Sequence, residues 1–194
     1  MPGRVVAVNL AHVIDTPLPP RGDQRHTKPP RTGIDKRPVE GAVRVEPLGL
    51  VGDSVLDVDH HGGLSQAVYA YAREDQEWWT DELGDELLRP ITPGSFGENL
   101  TVTGVAVNDA RPGERWAIGT VVLEVTDPRI PCSTFAGFLG LRGWVKRFAL
   151  HERPGAYLRV VTPGELRAGD AITVTPGPPG VPTVRETFAA FYRR

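Results

Sequence analysis

The chain has 194 residues, 40% hydrophobic and 24% charged, with a net charge of −2, ordinary values for one large globular domain. Such a balance gives no electrostatic reason to expect nucleic acid or an anionic membrane as partner. A single cysteine excludes an internal disulfide and points to a reducing, cytoplasmic setting, and no apolar run reaches the length of a signal peptide or a membrane span.

Its 22 glycines and 19 prolines punctuate short apolar runs, which reads as turns in a β-rich domain. Residues 4–10 (RVVAVNL) predict a first strand. Residues 15–32, rich in Pro and Arg and without periodicity, predict a long loop. Between positions 21 and 44 Lys and Arg outnumber Asp and Glu, which suits a solvated loop. Within it, Thr32, Gly33, Lys36 and Arg37 offer a hydroxyl, a flexible backbone and two cations, a set that also suits a phosphate.

Residues 41–50 alternate Val43, Val45, Leu48 and Leu50 and predict a strand that ends at Gly52-Asp53. Similar corners recur at Gly113-Glu114 and Gly169-Asp170, where Gly supplies a positive φ and the acid tolerates the turn. Three corners between short strands suggest a closed or nearly closed barrel, mainly β, mostly antiparallel, with a few peripheral α-helices.

Asp57-Val58-Asp59-His60-His61-Gly62-Gly63 precedes Gln66 and a strand over 67–71. Two histidines and two carboxylates can make a metal site or a general base. The spacing matches no zinc pattern, and His61 serving only to hold a turn is equally compatible. Residues 73–83 predict a helix with Trp78, Trp79 and Leu83 inward and Gly84 stopping it; its many acids read as a solvated face. Glu98 and Asn99 stand at the mouth of a strand over 100–102, suited to clamping the preceding loop or to binding a polar ring.

The β-branched run over 119–125 predicts a buried strand, and Pro128 and Pro131 force the chain out of the sheet. Ser133 or Thr134 is placed to cap a helix, with further helical pattern to about residue 150, and this sets Cys132 at a helix N-terminus near Arg129. That setting favours a thiolate, the form that attacks electrophiles and binds soft metals. A lone cysteine also serves as a small buried hydrophobe. After a strand over 155–161, residues 176–182 read as a Pro/Gly linker. Thr183 and Glu186 then open a short C-terminal helix with a capping-box pattern. We expect one barrel domain over 1–175 and an appendage over 176–194.

The ordered set Gly52-Asp53, His61-Gly62-Gly63, Ala67 to Tyr71, Phe96-Gly97-Glu98-Asn99-Leu100, Pro128-Arg129-Ile130-Pro131-Cys132 and Gly169-Asp170 resembles the MOSC domain. This module occurs at the C-terminus of molybdenum cofactor sulfurases and as stand-alone bacterial proteins of the YiiM type. The match runs from about residue 32 to residue 175.

The resemblance implies a β-barrel, with the Cys132 loop at its mouth, that binds the molybdenum cofactor (molybdopterin) and has Cys132 as the metal ligand. It implies cofactor-binding roles for Thr32, Lys36, Arg37, Asn99 and Arg129, and a catalytic place for His61 beside Cys132. Stand-alone members resemble oxidoreductases that reduce N-hydroxylated or N-oxygenated small molecules. Sulfurase-like members instead carry cofactor or sulfur, so a carrier bearing a persulfide is the alternative. No Schiff-base lysine motif is present, so pyridoxal phosphate is not expected. An electron-donor protein bearing flavin or iron–sulfur would be supplied separately.

Overall fold

The computed structural model describes residues 2–18 and 30–193. The strands are β1 (Gly3–Ala11), β2 (Ile14–Asp15), β3 (Arg31–Thr32), β4 (Lys36–Pro38), β5 (Val43–Glu46), β6 (Gly49–Leu50), β7 (Val68–Ala72), β8 (Leu100–Thr103), β9 (Arg115–Ile118), β10 (Val121–Pro128), β11 (Ala156–Thr162), β12 (Gly164–Leu166) and β13 (Ala171–Thr175). The α-helices are α1 (Arg73–Leu83), α2 (Ser133–Leu139), α3 (Trp144–His151) and α4 (Val184–Tyr192).

Seven strands close a barrel in the order β13-β9-β10-β11-β7-β8-β1, with β1 returning to β13. All these pairs are antiparallel except β7 with β8. The parallel pair arises because β7 runs directly into α1, which returns the chain to the starting end, as a crossover helix does. The barrel is therefore mixed, within a mainly β fold.

Period-2 alternation divides the interior into two cores. Val68, Ala70 and Ala72 of β7 face the lumen with Leu123, Val125 and Leu158, whereas Tyr69 and Tyr71 face outward. The outward rings join Trp79, Phe96, Phe135, Trp144 and Phe148 in an aromatic layer under the helices. Tyr71 stacks on Phe96 with ring centroids 4.4 Å apart. Each such ring, fully buried, contributes roughly 1.5–3 kcal/mol through removal from water. Apolar side chains fill the lumen, so ligand chemistry must sit outside it.

Several expectations are corrected. Residues 41–50 form no single strand: they fold into the hairpin of β5 and β6, and Leu48 at its tip is 69% exposed. The helical pattern after Cys132 breaks between α2 and α3, where Gly140 and Gly143 adopt φ of +70° and +67°. Cys132 itself is the N-cap of α2, displacing Ser133 and Thr134 from that role. The acidic face of α1 is not wholly solvated, since Asp75 is buried against Asn108 and Arg153.

Other elements form as their sequences dictate. Thr183 and Glu186 complete the capping box of α4, a device that contributes about 1 kcal/mol. That short helix docks by burying Val184 and Phe188.

Candidate functional site

Pro128 and Pro131 end the β10 ladder and swing the chain over the outer face of β7 and β11. The Cys132 loop therefore lies above Tyr69 and Tyr157, outside the apolar filling of the lumen. A cleft with about 760 Å³ of empty space, counting its open mouth, runs from this loop to Thr32 and Lys36.

Cys132 is a free, half-buried thiol at the start of α2. Burial alone pushes its pKa up, but a hydrogen bond from His61, the charge of Arg129 and the backbone N–H of Phe135 outweigh burial and bring it to about 6. Near neutral pH the thiolate predominates. Neighbouring His60 turns away: its Nδ1 lies 2.8 Å from Asp57 on an exposed turn.

Arg129 is only 4% exposed. Its guanidinium lies 4.3 Å from the Phe135 ring centroid and 5.4 Å from that of Tyr69. Burial disfavours its charge, but Tyr157, Tyr69 and the Cys132 sulfur offset that and keep it a cation. Among the described residues no carboxylate forms an ion pair with it, and the Cys132 sulfur is one of the groups that favour its charge.

The far end of the cleft is built around Asp53. Lys36 Nζ donates to both its carboxylate oxygens, at 2.6 and 2.5 Å, Asn99 Nδ2 donates at 2.8 Å, and the Ala11 N–H donates at 2.8 Å. These donors overcome the effect of burial and hold the Asp53 carboxyl below its ordinary range. The charge of Lys36 is thus spent on a protein carboxylate. Thr32 also lines this end, its Oγ1 accepting from the Ile34 N–H at 3.2 Å. Gly33 is required by close approach, since a Cβ there would meet Ser54 O at 2.2 Å.

Arg37 stands outside the cleft, its side chain 59% exposed and paired with Asp35 at 2.7 Å. The period of β4 explains this: Lys36 points in, so the next side chain points out. Asn99 lines the cleft but spends its amide on the Tyr69 N–H and on Asp53. Glu98 takes the clamp role, accepting from Gln76, Gly94, Phe96 and Thr101.

The cleft therefore gathers Cys132, His61, Arg129, Asn99, Lys36 and Thr32, and leaves out Arg37. Sequence reasoning missed two participants. Asp53 reads as a corner residue, although its place after Gly52 in the ordered motif set was a usable signal. Gln66, which also lines the cleft, had no signal beyond its position after the glycine pair.

Comparison with known proteins shows the family and the fold. The family model described as "MOSC domain" matches residues 57–173, more than half of the chain. The chain belongs to the MOSC domain family. It is 33% identical over 138 residues to the uncharacterized protein YflK of Bacillus subtilis, covering 71% of this chain and 61% of that protein. It is 27% identical over 137 residues to protein YiiM of Escherichia coli, again covering 71% and 61%. A protein of Gibberella moniliformis named "Reductase" is 29% identical over 153 residues, covering 76% of this chain and 26% of that one. The chain thus spans less than two thirds of the length of these relatives.

Among solved structures, YiiM from Geobacillus stearothermophilus superposes with a TM-score of 0.76 at 26% identity, covering 98% of this chain and 84% of that one. YiiM from E. coli gives 0.70 at 25% identity, covering 84% and 75%. This MOSC domain is YiiM-like in sequence and fold. No helix among the described residues is long and apolar enough to cross a membrane.

Proposed function

We propose that this MOSC domain binds the molybdenum cofactor in the Cys132 cleft and serves an oxidoreductase that reduces N-hydroxylated or N-oxygenated small molecules. The observation that carries the reading is the Cys132 thiol, brought to about 6 by His61, Arg129 and Phe135 in an open cleft. A thiolate is the ligand type that suits a soft, sulfur-rich metal centre.

The donor set fits such a group. Among the described residues no cluster of three or more His, Cys, Asp and Glu side chains is placed to hold a bare metal ion. A metal held here would have to bring other ligands with it, as the dithiolene sulfurs of the cofactor would, with Cys132 as the ligand from the chain. When bound, the cofactor supplies the metal at which the oxygen of an N–O bond is taken up and the electrons that replace it.

The chain's own residues have separate tasks. Cys132 holds the metal through sulfur. His61 keeps that sulfur deprotonated and holds a proton beside the reacting atoms, as a general acid needs. Arg129 balances negative charge in a buried site. At the far end Thr32, whose hydroxyl proton is not used by the Ile34 N–H it accepts, is the polar group offered to a ligand, since Lys36 is already paired with Asp53. The name "Reductase" of the Gibberella relative agrees with this class of reaction. Electrons would come from a separate flavin or iron–sulfur protein.

The test is expression in a cofactor-producing host, followed by molybdenum analysis and reduction of an N-hydroxylated substrate with an artificial electron donor. Bound molybdenum with turnover supports the reading. Molybdenum without turnover would favour a carrier, and protein that never acquires molybdenum would refute both.

A further inference from the structure

Two buried polar atoms on the walls of the cleft have no hydrogen-bond partner among the described residues: Nη1 of Arg129 and Oε1 of Gln66. They are of opposite sense, one a donor and the other an acceptor. Leaving such groups unpaired is costly, and native folds rarely do so without a use for them. Arg129 is 4% exposed, so solvent does not satisfy it freely.

Local structure ties the turn that bears Gln66 to the strands next to Arg129. Gln66 ends a short 3₁₀ turn (Leu64–Gln66) entered through Gly63 at φ +78°. The single Thr126 hydroxyl proton is shared between the Ser65 carbonyl, at 2.6 Å, and the Tyr157 carbonyl, at 3.0 Å. Tyr157 lines the cleft with Arg129 and favours its charge. The turn bearing Gln66 is therefore tied to the strand that supports Arg129.

We propose that Gln66 and Arg129 form a recognition subsite beside Cys132 for a carboxamide-like head, an acceptor atom next to an N–H donor. Arg129 meets the acceptor and Gln66 Oε1 meets the N–H. A carbonyl without an N–H leaves Gln66 unpaired. A carboxylate sets a second anionic oxygen against Gln66 Oε1, and the Arg129 charge already has the Cys132 thiolate for a partner. Val55 and Leu56, 44% and 40% exposed, line the same cleft and give an attached ring apolar contact. Naming the ligand as substrate or as cofactor rests on the function proposed above; the subsite does not.

The test is calorimetric titration of metal-free protein with benzamide, acetophenone and benzoate, which share a ring and differ only in the head. Benzamide should bind roughly tenfold more tightly than either of the others, the usual size of discrimination by a buried unpaired group. In Gln66→Leu, and independently in Gln66→Met, that preference over acetophenone should fall to about threefold or less. Equal binding of benzamide and acetophenone to the wild-type protein, tighter binding of benzoate, no binding of any probe, or a preference that survives both substitutions would each overturn the proposal. The wild-type comparison stands even if a variant fails to fold.

Repeating the titration on cofactor-loaded protein distinguishes the sources. Retained benzamide binding assigns the subsite to substrate, and lost binding assigns it to an amide edge of the cofactor. Failure to load molybdenum would count against the proposed function and leave the metal-free result intact.

Discussion

His61 and Cys132 line one cleft, and His61 favours the Cys132 thiolate, although one lies in the loop before β7 and the other is the N-cap of α2 after β10. The fold brings an imidazole to the chain's only cysteine in a cleft where burial would otherwise protonate the thiol. The reactivity of the site depends on that meeting more than on either residue by itself.

The thiol titration follows directly. Alkylation of Cys132 by iodoacetamide, followed by mass spectrometry, should accelerate as pH rises through about 6 and level off above it, because the thiolate is the attacking form. His61→Ala removes a bond that favours the thiolate, so the midpoint should rise by about one unit or more. An unmoved midpoint in that variant would show that His61 does not tune the sulfur.

Cys132→Ser keeps the size of the side chain and replaces a soft ligand with a hard, poorly ionised one. Its melting temperature should stay within a few degrees of wild type, because a half-buried N-cap position tolerates serine well. Molybdenum content of protein from a cofactor-producing host should fall at least about tenfold, as loss of a metal ligand predicts. Normal metal content in the Ser variant would remove Cys132 from the ligand role.

Asp53→Asn leaves the Lys36 ammonium buried without its anion. Side chains of the pair are 8% and 9% exposed, and breaking a buried pair from one side costs about 3–5 kcal/mol. Urea unfolding at pH 7 should show that loss. Because the folded Asp53 carboxyl is depressed below its ordinary value of 3.8, its stabilisation is complete above that value. It is lost as pH falls through the lower, folded value. The wild-type and Asn proteins should therefore converge in stability only under strongly acid conditions.

Arg37→Ala should change unfolding free energy by no more than about 0.5 kcal/mol, since its partner Asp35 is met on the surface. Cofactor content should be unchanged within measurement error, because Arg37 points away from the cleft. A large fall in cofactor retention would restore Arg37 to the site.

The sequence by itself was enough for whatever depends on local pattern. Apolar, β-branched runs marked β1 and β10, the acid-rich amphipathic run marked α1, and the Thr183–Glu186 pair marked the start of α4. The ordered motif set was enough for the family, because each piece fixes a turn or a close approach at a set place in the chain. Prolines 128 and 131 were enough to take Cys132 out of the sheet, since Pro cannot donate to a ladder.

Tertiary structure decided what local pattern cannot encode. Periodicity tells which faces are apolar but not which strands meet, so the parallel β7–β8 pair and the hairpin at residues 47–48 were not legible. A lysine beside a hydroxyl reads as an anion site until a distant carboxylate is found on it, as Asp53 is found on Lys36. The state of Cys132 is set through space by His61 and Arg129, and the unpaired atoms of Gln66 and Arg129 exist only once burial has removed water from them. Charge, desolvation and hydrogen bonding act over a few ångströms of space whatever the separation along the chain, and only the folded barrel fixes those distances.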